Sequence, residues 1–481
     1  MSATTPRLLF TTLVCLFIAS PTLADDWHNA GGNAGRHGFN RNLGPTAPDL
    51  LWSGGESSLI AWQPVIEGTR AFMVRQLGWA SQEPNASPVI AMDTHTGTEL
   101  WRVDIPFEPG DWTTWVVGVH GGQVYACRGG NGATSAAPIY ALDVATSSVR
   151  WTSEDEVDAG GYDGCVFAPN GDLVVGSFSD IWRIRASDGT TAWHATRTGS
   201  VSSTCGAVIH EDAVYIADAT AGGHVIKRYD LATGIYQYQS DLMPGFTIQN
   251  QPMAGPDGTI YLSRTQNNAA VDFIYAFADT GFGFELKWSI PAAWSTTSEF
   301  GVGPDGSVYM LVPGPELARI DPKDGSIINT TGVLPGFSKP RIAIDALGRV
   351  YLGNGAFSSG RLYAYDAALT ELWSVPVTNI NIGGPALGPF GTLLVCGVGT
   401  DVRVYRSVCP GDCNCDGAIT FDDIQHLVAA LTGEEAWIQY QLTQTGTLPA
   451  CPYENCDIDG VGGVTFLDIA PFVNLLGTSC P

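Results

Sequence analysis

Val89-Ile-Ala-Met-Asp93-Thr-His-Thr-Gly97-Thr-Glu-Leu-Trp101 decides how this chain folds. An alternating run ends at Asp93, a polar turn holding Gly97 follows, and a second run delivers the large apolar Trp101, the pattern of two strands and a hairpin. The unit returns as Ile139-Tyr-Ala-Leu-Asp143 ending at Trp151, as Ile184-Arg-Ala-Ser-Asp188 ending at Trp193, and as Leu362-Tyr-Ala-Tyr-Asp366 ending at Trp373. Weaker copies span 225–236, 274–288 and 317–328. Self-similarity at this period marks a repeat architecture.

Working outward, a second hairpin precedes each copy. Its turns include Pro169-Asn-Gly171, Gly255-Pro-Asp-Gly258, Gly303-Pro-Asp-Gly306 and Gly388-Pro-Phe-Gly391, where glycine supplies the positive φ of a tight turn. Two hairpins make a four-stranded antiparallel blade, and eight first hairpins recur at intervals of 41 to 52 residues. The predicted fold is therefore an all-β, eight-bladed propeller. The eighth unit stops at Val402-Arg-Val-Tyr405 without a tryptophan-bearing strand, so the segment 49–53, Asp-Leu-Leu-Trp-Ser, is expected to complete that blade and close the ring over residues 25–408.

Residues 91–101 match Ala-x-Asp-x-x-Thr-Gly-x-x-x-Trp throughout and Ala141–Trp151 nearly so, and on this motif the chain resembles the PQQ-like (quinoprotein-like) propeller repeat family over about residues 27–406. The lead-in from Asp25 to Pro48 is similar to that of such proteins. The resemblance implies the fold and leaves the activity open, since the family holds quinone-dependent dehydrogenases, outer-membrane assembly factors and binding proteins. Its dehydrogenases carry adjacent cysteines and a calcium-linked Glu, Asn and Asp set in the central funnel. No two cysteines here are adjacent, and that set has no counterpart in the sequence. PQQ is therefore not expected, nor is any catalytic residue assigned. His28, His37, His95, His120, His194, His210 and His224 are dispersed along the chain, so the sequence gives no zinc motif.

The net charge of −25 argues against a nucleic-acid partner. Arg7 followed by the apolar run 8–19 and Thr22-Leu-Ala24 reads as a signal peptide over residues 1–24, with no later apolar stretch long enough for membrane insertion. A secreted, extracellular or cell-surface location follows, with the periplasm as a further option. Cys127, Cys165, Cys205 and Cys396 sit in strand-like segments and read as buried thiols, whereas six cysteines between Cys409 and Cys480 read as disulfides with 15 possible pairings.

The stretch 409–481 forms a second domain with ten acidic residues and no Lys or Arg. Asp412, Asn414 and Asp416 place oxygens at positions 1, 3 and 5 of an EF-hand-type calcium loop, Ala418 offers a carbonyl, and Thr420 and Asp423 complete the shell. Gly417 permits the bend. The pattern returns 45 residues later with Asp457, Asp459, Gly463, Thr465 and Asp468, but Val461 stands where an oxygen belongs, so the second loop should bind Ca2+ more weakly. Ile424, Leu427, Val428 and Leu431 match Ile469, Phe472, Val473 and Leu476 at helical spacing after each loop. Tandem loops, each followed by one helix, resemble a type I dockerin over about residues 410–477. That resemblance implies calcium-dependent attachment to an extracellular, cohesin-like protein, yet Phe421-Asp422 and Phe466-Leu467 depart from the small hydroxyl residues the family uses for partner choice. A secreted non-catalytic binding or scaffold protein is the leading functional expectation. A component of polysaccharide degradation, with a polysaccharide as partner, and a PQQ-dependent oxidoreductase are the alternatives.

Overall fold

The computed structural model describes residues 25–77, 87–106, 113–129, 136–157, 164–199, 206–244, 251–264, 269–294, 301–336, 338–356 and 358–480. Each repeat folds into one antiparallel sheet whose strands pair in sequence order, and eight such sheets form the propeller. Blade 1 comprises Val65–Glu67, Arg70–Val74, Val89–Asp93 and Glu99–Val103. In blade 8 the inner strands Ala386–Gly388, Thr392–Cys396 and Val402–Arg406 take Leu50–Gly54 as their outer strand, with Trp52 opposite Val404.

The repeat motif explains how blades lock together. Trp52 Nε1 donates to the Thr94 carbonyl of the next blade at 2.8 Å, Trp101 to Val144 at 3.0 Å, Trp151 to Ala186 at 2.8 Å, Trp193 to Leu231 at 2.9 Å and Trp288 to Pro322 at 3.0 Å. The indole packs flat and its one polar atom is satisfied by a turn carbonyl. Asp93 makes that turn: its Oδ1 accepts from the backbone N–H of His95 at 3.0 Å and of Thr96 at 2.8 Å. Gly97 sits at φ +68°, and a Cβ there would lie 2.7 Å from the Trp52 ring. Asp, Gly and Trp in the motif are thus one interblade joint, seen from two blades. Blade 7 has no such turn ahead of it in blade 8, and Trp373 donates instead to Pro45 at 3.2 Å.

Before reaching blade 8, residues 27–40 circle the propeller axis once. Trp27 exchanges backbone hydrogen bonds with Ile66 of blade 1, and the carbonyls of His28, Ala34, Gly35, His37 and Gly38 accept from the innermost strands of blades 2, 4, 5, 6 and 7, namely from Val119, Ile209, Ala254, Val302 and Ile344. Gly35 makes the approach possible, since a Cβ there would stand 2.6 Å from the Ala254 carbonyl oxygen. At the centre Arg36, 1% exposed, donates from Nε to Ala207 O at 2.9 Å, and from its terminal nitrogens to Ala30 O at 2.8 Å and Gly164 O at 3.2 Å.

The segment from Cys409 has its own apolar cluster around Trp437, Leu427, Ala430 and Phe472. It contains α1 (Ile424–Ala430), α2 (Glu434–Thr445), α3 (Ile469–Leu475) and a two-stranded ribbon of Ala418–Ile419 with Thr478–Ser479. The helices read after each loop are present as α1 and α3. α1 and α3 are only seven residues long, and of the eight stripe positions only Leu427 and Phe472 are buried. The longer α2, which the sequence reading did not anticipate, supplies the central Trp437. Disulfides join Cys409 to Cys480 and Cys415 to Cys451. Cys127, Cys165 and Cys396 are unbonded and buried, and Cys205 lies outside the described residues. The segment rests on the propeller through Phe390, whose N–H donates to Pro449 O at 2.8 Å, and through Arg406, whose Nη2 lies 3.0 Å from Glu454 Oε1. Among the described residues no helix is long and apolar enough to cross a membrane.

Candidate functional site

Two acidic loops dominate the C-terminal segment, and they share one frame. In the first, Asp423 Oδ1 accepts from Asn414 N at 2.9 Å and Oδ2 from Thr420 N at 2.8 Å. In the second, Asp468 Oδ1 accepts from Asp459 N at 2.9 Å and Oδ2 from Thr465 N at 2.7 Å. Thr420 and Thr465 each close a capping box with that aspartate, which turns the chain into α1 and α3. Gly417 and Gly462 both take positive φ at the bend, +86° and +83°.

The loops differ in burial. Asp412 and Asp423 are fully buried. Asp412 Oδ1 accepts from Asp416 N at 3.0 Å and Oδ2 from Gly417 N at 3.2 Å, while Asn414 Nδ2 reaches Asp416 Oδ2 at 2.9 Å. Burial pushes the Asp412 carboxyl up to about 7, and the charges of Asp423 and Asp416 push the same way. No lysine or arginine follows Arg406, so this set has no cationic side chain of its own segment to offset it. In the second loop Asp457, Asp459 and Asp468 each bring a carboxylate oxygen within 4.8 Å of the others, and Asp457 Oδ1 is buried without a hydrogen-bond partner. Val461 is 69% exposed and only its N–H takes part, donating to Asp459 Oδ1 at 2.8 Å. Gly463 follows Gly462 in the bend, also at positive φ. Ala418 pairs with Ser479 in the ribbon. In the second loop hard oxygen donors converge without a counter-charge and fit a divalent cation of the calcium type, whereas Asp412, Asp416 and Asp423 of the first loop do not come within the same mutual distance. Cys409 and Cys480 also lie near Asp412, but they are bonded to each other and offer no thiolate.

A second site forms where the encircling segment meets the propeller's turns. Asp25, Asp26, His28, His37, Arg41, Glu67 and His120 line an open pocket of about 680 Å3. The His28 and His120 rings stand 5.0 Å apart, and His28 Nδ1 is 2.8 Å from Val119 O. Burial pushes the Asp26 carboxyl up to about 7; the Gly68 N–H works against this and Glu67 with it. Burial also holds His37 down to about 4 and lowers His28 and His120. These histidines are dispersed in the sequence and gathered in space. No local spacing could have revealed them, because ring closure and the path of residues 27–40 bring them together. Among the described residues, neither group of three metal-capable side chains within ligand distance of one another includes a histidine.

Comparison with known proteins gives the fold and the family. A search of curated proteins finds no significant match. Among solved structures, the chain is similar to the quinohemoprotein alcohol dehydrogenase from Comamonas testosteroni, with TM-score 0.55 and 14% identity, covering 80% of this chain and 81% of that one. It is also similar to the quinohemoprotein alcohol dehydrogenase ADHIIG from Pseudomonas putida HK5, with TM-score 0.51 and 12% identity, covering 85% of each chain. At such identities the likeness establishes the propeller alone. The sequence model described as outer membrane protein assembly factor BamB matches residues 85–331, just over half of the 481. The chain therefore belongs to that family of PQQ-like repeat propellers.

Proposed function

We propose that this is a non-catalytic binding or scaffold protein acting outside the cytoplasm, its propeller a rigid platform and its C-terminal segment a dockerin-like, calcium-dependent attachment module. The observation that carries the reading is the second acidic loop outside the propeller, where Asp457, Asp459 and Asp468 bring carboxylate oxygens within 4.8 Å of one another. In the dehydrogenases of the resembled family the cofactor and its calcium-linked residues occupy the funnel, and this sequence has no counterpart of that residue set. The cation-type carboxylates lie instead in the module, outside the propeller. The family description, an assembly factor and not an oxidoreductase, supports the same reading.

In the module, Asp412, Asn414, Asp416, Thr420 and Asp423, with the Ala418 carbonyl, would hold the first Ca2+. Asp457, Asp459, Thr465 and Asp468, with the Gly463 carbonyl, would hold a second and weaker one. Bound calcium supplies the positive charge that lets the buried carboxylates stay ionised. Each loop then presents the same apolar residues to solvent: Phe421, Ile424 and Val428 from one repeat, Phe466, Ile469 and Val473 from the other, with exposures from 36% to 77%. A doubled apolar face of this kind suits an extracellular protein partner better than a sugar chain. Pulldown of extracellular proteins with the full chain, with calcium and with a chelator, tests the attachment: capture only with calcium is expected, and equal capture in both would refute it. Reconstitution with PQQ and calcium, followed by a dye-linked assay over alcohols and aldoses, tests the propeller. Stoichiometric uptake with turnover would replace this reading by the oxidoreductase one.

A further inference from the structure

We propose that Cys413 and Cys456 form a third disulfide, which ties the two acidic loops to each other. Four of the module's six cysteines are already bonded, as Cys409–Cys480 and Cys415–Cys451, so Cys413 and Cys456 are the two left over. Both are fully buried and both belong to the cluster around Trp437. The backbone carrying them is already held together: Asn455 Nδ2 donates to Asp412 O at 2.9 Å, Gly411 N donates to Asn455 O at 2.7 Å, and Asn455 Oδ1 accepts from Cys409 N at 2.8 Å. Two buried thiols of one core cluster, on segments clamped side by side, are placed to bond to each other.

The position gives the bond its consequence. Cys413 stands between Asp412 and Asn414 inside the first loop, and Cys456 immediately precedes Asp457 at the start of the second. A bond here joins the two loops at their entry points and limits how far the ligand sets can separate when no cation is present. The reaction breaks two S–H bonds and forms one S–S bond. Two protons and two electrons pass to a disulfide-carrying oxidant, a thiol oxidoreductase or a low-mass disulfide, which is reduced to two thiols. This rests on the export reading, because such an oxidant prevails outside the cytoplasm.

The test uses the wild-type full chain, exported by a host into an oxidising compartment, denatured without reductant, alkylated with iodoacetamide and mapped by mass spectrometry. The expected result is no alkylation at Cys413 or Cys456, one cross-linked peptide pair joining them that disappears on reduction, and full alkylation at Cys127, Cys165 and Cys396. Alkylation of both Cys413 and Cys456 in a chain whose other two bridges are intact would overturn the proposal alone. So would either residue bonded to a different cysteine. Alkylation of all six would overturn it together with the export reading.

Discussion

The propeller and the segment after Cys409 handle burial and charge in different ways. In the propeller, blades repeat one joint of Trp, Asp and Gly, and 22 basic residues stand against 38 acidic ones. Lys227 Nζ, for example, lies 2.6 Å from Asp218 Oδ2 in a fully buried pair. The module buries Asp412, Asp423 and Asp468 with no cation among its own residues, and covalent bridges stand in for the extended core it lacks. One region has basic side chains to set against its acidic ones; the other has no lysine or arginine. Function is sought in the latter.

Breaking the module's core should have the largest effect. Trp437 is fully buried, and its indole N–H donates to Cys413 O at 3.0 Å. Trp437→Ala should cost about 4 kcal/mol and unfold the module while the propeller's transition stays in place, so calorimetry would resolve two separate events. The same experiment on the propeller joint should give a smaller loss without that separation. Gly97→Ala forces a side chain into positive φ and against the Trp52 ring, for about 3 kcal/mol across the whole ring.

Calcium sharpens the comparison further. At a hundredfold excess over its dissociation constant the ion should stabilise the module by about 2.7 kcal/mol and leave the propeller's melting unchanged. Asp412→Ala should abolish most of that gain and Asp457→Ala less, because Val461 leaves the second loop one oxygen short. Equal losses would show that the two loops rank together.

The smallest effect concerns the pocket at the axis. Asp26 titrates near 3.9 when unfolded and is pushed up to about 7 when folded, so the folded chain binds more protons between those values. Stability from this group is therefore greatest near pH 4, falls as pH rises to 7, and is flat above. Asp26→Asn should match the wild type near pH 4 and exceed it by about 2 kcal/mol above pH 7, half of the full shift since the group keeps some contact with water. Denaturation midpoints across that range would show the convergence or its absence.

The blades were legible because their residues repeat: Trp101, Trp151, Trp193 and Trp373 mark the same strand, and the turn glycines bracket it. The acidic loops were legible because their carboxylates are spaced within twelve residues. What was hidden depends on long-range closure. The circuit of residues 27–40 touches partners from Ile66 to Ile344 with no local period, and His28 meets His120 only because blade 2 passes that point. The helices after each loop were legible from their stripes, though of the eight stripe positions only Leu427 and Phe472 are buried and Leu431 and Leu476 are half-buried.

Calcium binding to the full chain, measured by titration calorimetry on the wild type and on the Asp412→Ala, Asp457→Ala double variant, tests most directly whether the binding chemistry lies in the module. The account predicts binding by the wild type and none by the double variant, with the propeller's melting transition the same in both. Undiminished binding by the double variant would place the cation in the propeller and contradict the account.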